Sequence, residues 1–538
     1  MEITFLGATH EVTGSCTMIT INGRHLLVDY GMEQGKDMFV NQEMPVRASD
    51  VDCVVLTHAH IDHSGLLPLL AKKGFKGQIY ATEATSNLCN IMLLDSAHIQ
   101  EFEAEWKTRK GKRAGSGEVE PMYDTKDAEE AIRRFVPYPY DKRVSILEGV
   151  DICFRDAGHL LGSAEVEMWL TEDGVTKKIV FSGDLGNRDK PILKNPSYIK
   201  EADYVVMEST YGDRFHEKPP ANEDFVHQLA AHLQKTFDRG GNVVIPSFAV
   251  GRTQELLYFI REIKERGLVT GHDGFKVFVD SPLANEATSI FVQTDPCYFD
   301  EEMQEVLASG KNPLFFPGLE VAVSAEESKA INFDLNPKVI LSASGMCEAG
   351  RIRHHLKHNL WREECLILFA GYQAMGTLGR TLFDGATSVK LFGEDIQVNA
   401  EIGYLANISG HADKAGLLRW IRAFEKKPEI VFVNHGEDTV TQSFATCLEE
   451  EYGFPFAVAP YSGTSFDLAT GRCIEMTEGI PVPERAPSGT KASLLYAALV
   501  EVGRKITSLI ASFNGRPNQE VRRLTKDLEG VLTKWEDR

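Results

Sequence analysis

Residues 56–63 read Leu-Thr-His-Ala-His-Ile-Asp-His, which places three histidines and an aspartate within six positions. They follow the apolar run Val51 to Leu56 directly, so a strand delivers four metal-binding groups into one tight loop. Imidazole and carboxylate ligands suit Zn²⁺, and four of them exceed the three protein ligands plus water that a single catalytic zinc uses. Two ions are therefore expected. A pair about 3.5 to 4 Å apart can share a water, lower its pKa and clamp an in-line displacement at phosphorus.

A chain of 538 residues is too long for one simple core and predicts two or three domains. Hydrophobic residues make up 43% and charged residues 25%, a folded rather than disordered composition. Lys and Arg number 57 against 78 Asp and Glu, and the net charge of -21 excludes indiscriminate polyanion binding, so any nucleic-acid path must be a local groove. The nine cysteines are scattered and form no C-x-x-C, as expected of reduced thiols in a cytoplasmic protein rather than of zinc ligands. Neither a secretory signal nor an apolar run of about 20 residues is visible, so no membrane is expected as a partner.

The first 210 residues alternate short strands with turns: Ile3 to Leu6, Met18 to Ile21, His25 to Val28, Gln78 to Ala81, Val150 to Phe154, Glu165 to Trp169, Lys178 to Ser182 and Tyr204 to Met207. A helix is expected over Ala84 to Glu105, followed by a mobile basic loop from Lys107 to Gly117. From about Gly212 longer helices (Asn222 to Arg239, Thr253 to Arg266) alternate with single strands (Asn242 to Pro246, Lys276 to Val279), which predicts a parallel sheet with its own core. After about Glu401 the first texture returns, with Ile430 to Val433 leading into Asn434-His435-Gly436. An inserted domain that interrupts the first explains this order. Beyond Pro481, apolar residues from Leu494 to Trp535 recur at helical spacing, predicting two amphipathic helices that pack on the body or on a second subunit in a homodimer.

Four more strand ends carry ligand types: Asp29 after Leu26 to Val28, His159 in Ala-Gly-His-Leu-Leu-Gly-Ser, Asp184 in Phe-Ser-Gly-Asp, and His435 in Val-Asn-His-Gly-Glu. A neighbouring glycine at each lets backbones approach closely. The segments LVDYG, THAHIDHSG, DAGHLLGSA and FSGD, joined by MESTYGDR, PSFAVGRTQELL, SPLA, SASGMCEAGR, ISGHAD and VNHGE, resemble the metallo-β-lactamase-fold hydrolases of the β-CASP family. These are nucleases that include the pre-mRNA 3′-end endonuclease and its bacterial and archaeal relatives, and the resemblance covers nearly all of residues 1–465.

The resemblance implies an α/β fold, a metallo-β-lactamase αββα sandwich (1–210 and 401–480) interrupted by a β-CASP parallel-sheet domain (211–400), with a helical C-terminal extension (481–538). It implies two Zn²⁺ per chain, one held by His58, His60 and His159 and the other by Asp62, His63 and His435, with Asp184 bridging and Asp29 orienting the site. A metal-bridged hydroxide would be the nucleophile. Glu208 and His411 match motif positions whose carboxylate–imidazole pair would keep a histidine protonated for the departing ribose oxygen. In the insert, Ser342, Ser344, Arg351, Arg353, His354, Arg380 and Arg252 are candidate phosphate contacts.

The function these readings predict is zinc-dependent hydrolysis of single-stranded RNA in processing or decay, endonucleolytic or exonucleolytic, alone or with other RNA-processing proteins. Histidine at position 435 resembles the RNA-acting branch, whereas the DNA-repair branch typically carries valine. A small-molecule thioester or lactone hydrolase would explain the metals but not Glu208, His411 or the insert. A scaffold subunit would not need all seven ligand positions. For the tail, light scattering on a chain ending at residue 487 is expected to report a smaller assembly than the full chain.

Overall fold

A computed structural model describes residues 1–35, 38–114, 117–216, 225–374, 376–405, 409–482, 522–526 and 528. The chain forms two compact units, Met1–Ile480 and Pro481–Arg538. In the second, residues 522–526 are helical, and the remainder of the expected tail helices lies outside the described residues.

In the first unit an eight-stranded and a seven-stranded sheet share one apolar core. Period-two alternation in the sequence builds it. From strand Tyr204–Glu208, Tyr204 and Val206 point into the shared core, while Val205 and Met207 pack outward against helices Lys414–Ile421 and Asp438–Glu450. Strand Ile430–Asn434 repeats the pattern, with Ile430 and Phe432 inward and Val431 and Val433 outward. On the opposite side, Leu27 and Val54 pack with Leu88 and Leu93 of helix Glu83–Ala114. The layers are helix, sheet, sheet, helix.

The third sheet has six strands, in the order Leu319–Val321, Lys276–Val279, Lys338–Ser342, Val243–Pro246, Leu366–Phe369 and Glu401–Tyr404. Every pairing in it is parallel. The chain leaves the sandwich after Tyr204–Glu208 and returns through helix Lys414–Ile421 to strand Ile430–Asn434, which lies beside Tyr204–Glu208 and parallel to it. Glu401–Tyr404 still pairs with Leu366–Phe369, so the inserted sheet extends past residue 400, where the sequence texture marks the return.

The basic segment from Lys107 is not the expected loop up to Ala114: it continues the helix Glu83–Ala114. Lys and Arg are good helix formers, and Glu103–Lys107 and Glu105–Arg109 close i,i+4 ion pairs at 3.1 and 2.6 Å, which together outweigh the single Gly111. Among the described residues no helix is long and apolar enough to cross a membrane.

Parallel neighbours end at a common edge, and the loops of that edge carry the polar residues. Asp29 follows Arg24–Val28, the histidine loop follows Cys53–Val55, Asp184 follows Val175–Phe181, and His435 follows Ile430–Asn434. Gly31 lets two of these loops touch, since a Cβ there would lie 1.6 Å from the Asp62 carbonyl oxygen. The sandwich core beneath them is tightly packed around Phe432, whose ring centroid lies 4.9 Å from Phe5 and 5.0 Å from Phe466. Phe432→Ala is expected to cost about 3–5 kcal/mol of stability, measured as a shift of the urea unfolding midpoint.

Candidate metal centre

The loop after Cys53–Val55 turns at His60, the N-cap of the short helix Ile61–Ser64, and Ser64 Oγ pins that turn by donating to the carbonyls of Ala59 and His60, each at 3.0 Å. This throws His58 and His60 to one side and Asp62 and His63 to the other. Distant strands complete each side. One group is His58, His60, His159 and Asp184; the other is Asp62, His63 and His435, and within each group the ligand atoms lie within 4.8 Å of one another.

In the first group His58 Nε2 and His159 Nε2 lie 3.1 and 3.2 Å from His60 Nδ1. A tetrahedral zinc with Zn–N bonds of about 2.0–2.1 Å requires nitrogens about 3.3–3.4 Å apart, so the observed spacing matches a zinc cage. Burial pulls the pKa of His58, His60 and His159 down, which keeps these rings neutral with lone pairs free for a cation. In the second group His63 Nε2 lies 3.2 Å from His435 Nε2, which is 3.8 Å from Asp62 Oδ2.

Asp184 divides its carboxylate between the groups. Oδ1 lies 3.3 Å from His63 Nε2 and 3.6 Å from His435 Nδ1, while Oδ2 lies 3.5 Å from both His58 Nε2 and His159 Nε2. Burial would raise its pKa, but the surrounding imidazoles hold it well below the usual carboxylate range. The donors are thus of the type, number and spacing that zinc takes.

Asp29 is set one layer back. Its Oδ1 accepts from the Thr57 amide at 2.8 Å, and its Oδ2 accepts from Thr57 Oγ1 at 3.0 Å, Ser15 Oγ at 3.2 Å and His63 Nδ1 at 2.7 Å. Holding the Nδ1 proton leaves His63 Nε2 as the free donor atom. Thr57 and Ser15 are parts of this bracket that sequence reading did not single out, although Thr57 immediately precedes His58. Thr210, 3.3 Å from His435 Nδ1, is another.

Glu208 and His411 also meet. His411 Nδ1 lies 3.3 and 3.2 Å from the two Glu208 oxygens, and Glu208 Oε1 accepts from the Leu185 amide at 2.5 Å. Burial lowers the His411 pKa, but the Glu208 and Asp184 carboxylates outweigh it and raise the value to about 9. Gly410 allows His411 to approach the metal groups, because a Cβ there would stand 3.1 Å from His159 Cε1.

The seven candidate phosphate contacts are placed differently. Ser342 is buried and donates to the Asp280 carbonyl at 2.9 Å, and Arg351 pairs with Asp280 Oδ1 at 2.7 Å. Ser344 Oγ accepts from the amides of Glu348 and Ala349. Arg252 pairs with Glu255, which also takes Lys190 at 2.7 Å. Arg353 reaches the Glu348 carbonyl, His354 stacks on Phe392 at 4.3 Å, and Arg380 pairs with Asp384 at 2.9 Å. The reason is local charge: each guanidinium has a carboxylate or carbonyl within a few residues or across one strand, so none of these contacts is with a residue of the metal groups.

Asp29→Asn is expected to weaken metal binding about 10- to 100-fold, read by titration against a competing chelator.

Three family models match in succession: the metallo-beta-lactamase superfamily over residues 11–239, the Beta-Casp domain over 253–382, and the Zn-dependent metallo-hydrolase RNA specificity domain over 395–460. The chain is 38% identical over 441 residues to a ribonuclease of Thermus thermophilus, covering 81% of this chain and 94% of that one. It is 29% identical to the transcription termination factors of Methanosarcina mazei and Methanocaldococcus jannaschii, over 460 and 456 residues, covering 83% of this chain and 68% of each of them. With its paired histidine and aspartate groups at one edge of the sandwich and these matches along its length, the chain belongs to the β-CASP family of metallo-β-lactamase-fold, zinc-dependent ribonucleases.

Proposed function

We propose that this protein binds two zinc ions and hydrolyses single-stranded RNA to 5′-phosphate and 3′-hydroxyl ends, in RNA processing or decay in the cytoplasm. The observation that carries the reading is the carboxylate of Asp184 shared between two separate donor groups, with the His411–Glu208 pair beside it. His58, His60 and His159 would hold one ion, Asp62, His63 and His435 the other, and Asp184 both. When bound, the ions supply Lewis acidity that lowers the pKa of water and offsets charge on the phosphodiester.

The chain's own residues do the rest. Asp29, braced by Thr57 and Ser15, fixes the orientation of His63. Glu208 accepts the Nδ1 proton of His411, which leaves the Nε2 proton for the leaving group. As water releases a proton to solvent and adds to phosphorus, the P–O3′ bond breaks and the His411 proton passes to the 3′-oxygen, while the 2′-hydroxyl takes no part. The RNA specificity match over 395–460 includes both His411 and His435, which supports RNA as the substrate. The domain division near 210 and 480, with the insert reaching past 400 to Tyr404, belongs to the same reading, as does self-association through residues 488–538.

Metal analysis of protein prepared without chelator should return two zinc ions per chain, and a reproducible value of one would overturn the dinuclear assignment. End-labelled single-stranded RNA, with products mapped, tests the activity. His411→Ala is expected to keep both metals and lose roughly 10²- to 10⁴-fold in kcat. A general acid works only while protonated, so kcat should fall as pH rises through the His411 pKa. Glu208→Gln removes the charge that raises this pKa, and the alkaline limb should move to lower pH.

A further inference from the structure

The C-terminal edge of the inserted sheet carries residues that the hydrolytic step does not use. Strand Val243–Pro246 runs into Phe248, and strand Leu366–Phe369 runs into Tyr372. Loops at this edge of a parallel sheet border its binding crevice. Both residues are 42% exposed, a large fraction for aromatic residues of a folded domain. Their loops touch: a Cβ on Gly371 would lie 3.8 Å from Phe248 Cε2, and one on Gly345 would lie 3.0 Å from it. Gln373 Nε2 braces the Tyr372 loop by donating to its own Gly371 carbonyl at 3.3 Å and to the Gly345 carbonyl of a neighbouring loop, which also meets Phe248, at 3.0 Å. The rings therefore stand on a braced backbone.

The Phe248 loop borders the metal centre: a Cβ on Gly251 would lie 3.0 Å from Leu160 Cδ1, and Leu160 directly follows His159. On the sandwich side the Tyr211 ring centroid lies 6.2 Å from that of His411. Aromatic rings thus stand both beside His411, at Tyr211, and on the C-terminal edge of the insert, at Phe248 and Tyr372. Positive charge is a weak alternative means of holding a strand here. The chain carries a net -21, and Arg214 and Arg380 already pair with carboxylates, Asp213 at 2.7 Å and Asp384 at 2.9 Å.

We infer, resting on the ribonuclease reading above, that Phe248 and Tyr372 form a stacking platform for unpaired nucleobases of the RNA strand leading into the metal centre. Every base has a π-face, so such a platform accepts any sequence but rejects paired strands, whose bases are stacked on each other. It also explains how an acidic protein retains an RNA, since stacking does not depend on phosphate neutralisation.

The test is a cycle between side chains and bases. The substrate is a labelled single-stranded RNA and the same RNA carrying abasic ribose at successive positions, cleaved by the zinc-loaded full chain and by its Tyr372→Ala, Phe248→Ala and double variants. Removing a stacked base or its ring should raise KM by roughly 5- to 150-fold, and removing both should cost no more than removing either. Tyr372→Phe should behave as wild type, whereas Tyr372→Leu, which keeps bulk without a π-face, should behave as alanine. Independent, additive effects of ring and base, or wild-type KM in Tyr372→Leu, would overturn the platform while leaving the ribonuclease reading in place. A wild-type chain that binds zinc and cleaves no RNA would overturn both.

Discussion

Asp184 is a buried carboxylate whose two oxygens face two different sets of imidazoles, and the rest of the sandwich is arranged around that charge. An ion taken out of water costs several kcal/mol unless its surroundings restore the lost solvation. Here the surroundings are the rings of His58, His63, His159, His411 and His435, brought together from distant parts of the chain. His63 shows how closely the balance is drawn. Burial would lower its pKa, yet Asp184 on one nitrogen and Asp29 on the other hold it well above the ordinary value. Dense donors of this kind, shut from water, are what a divalent cation relieves.

Sheet geometry explains why the loops converge. Parallel strands end at one edge, and strands Arg24–Val28, Cys53–Val55, Val175–Phe181, Tyr204–Glu208 and Ile430–Asn434 all place their C-terminal ends there. The backbone accepts strain to finish the site: Asp29 and His435 both sit in the left-handed region, at φ +62° and +47°. Such conformations persist only where surrounding bonds over-determine them. For Asp29 these are its amide to the Val55 carbonyl and its carboxylate to Thr57, and for His435 its amide to the Ala8 carbonyl.

The insert answers a different problem. Among its described residues, Arg252, Arg351 and Arg380 are each matched to a carboxylate. Arg351, His355 and Ser328 meet at buried Asp280, which makes this cluster a brace between the end of strand Lys276–Val279 and helices Ala325–Phe333 and Ile352–Asn359 rather than an open anion site. At its C-terminal edge the insert exposes the aromatic residues Phe248 and Tyr372. With an acidic chain, recognition by ring faces and recognition by charge make different demands, and the pairing of the arginines favours the former.

The sequence by itself determined the donor types and the strand ends that carry them. The His58-to-His63 loop, Asp29, His159, Asp184 and His435 could be picked out because each follows an apolar run and has a glycine nearby, a local signal. The alternation in Tyr204–Glu208 and Ile430–Asn434 was legible for the same reason, since period two is local. The helix through Lys107 to Ala114 was misread because a basic, glycine-containing segment looks like a loop until its i,i+4 ion pairs are counted. The family resemblance already implies how the donors sort into two groups; only the tertiary structure decided that Ser15 and Thr57 brace Asp29, that Glu255 claims Arg252, and that Phe248 meets the loop bearing Tyr372. Most of these depend on contacts between residues far apart in the chain, where distance and burial, not residue type, choose the partner.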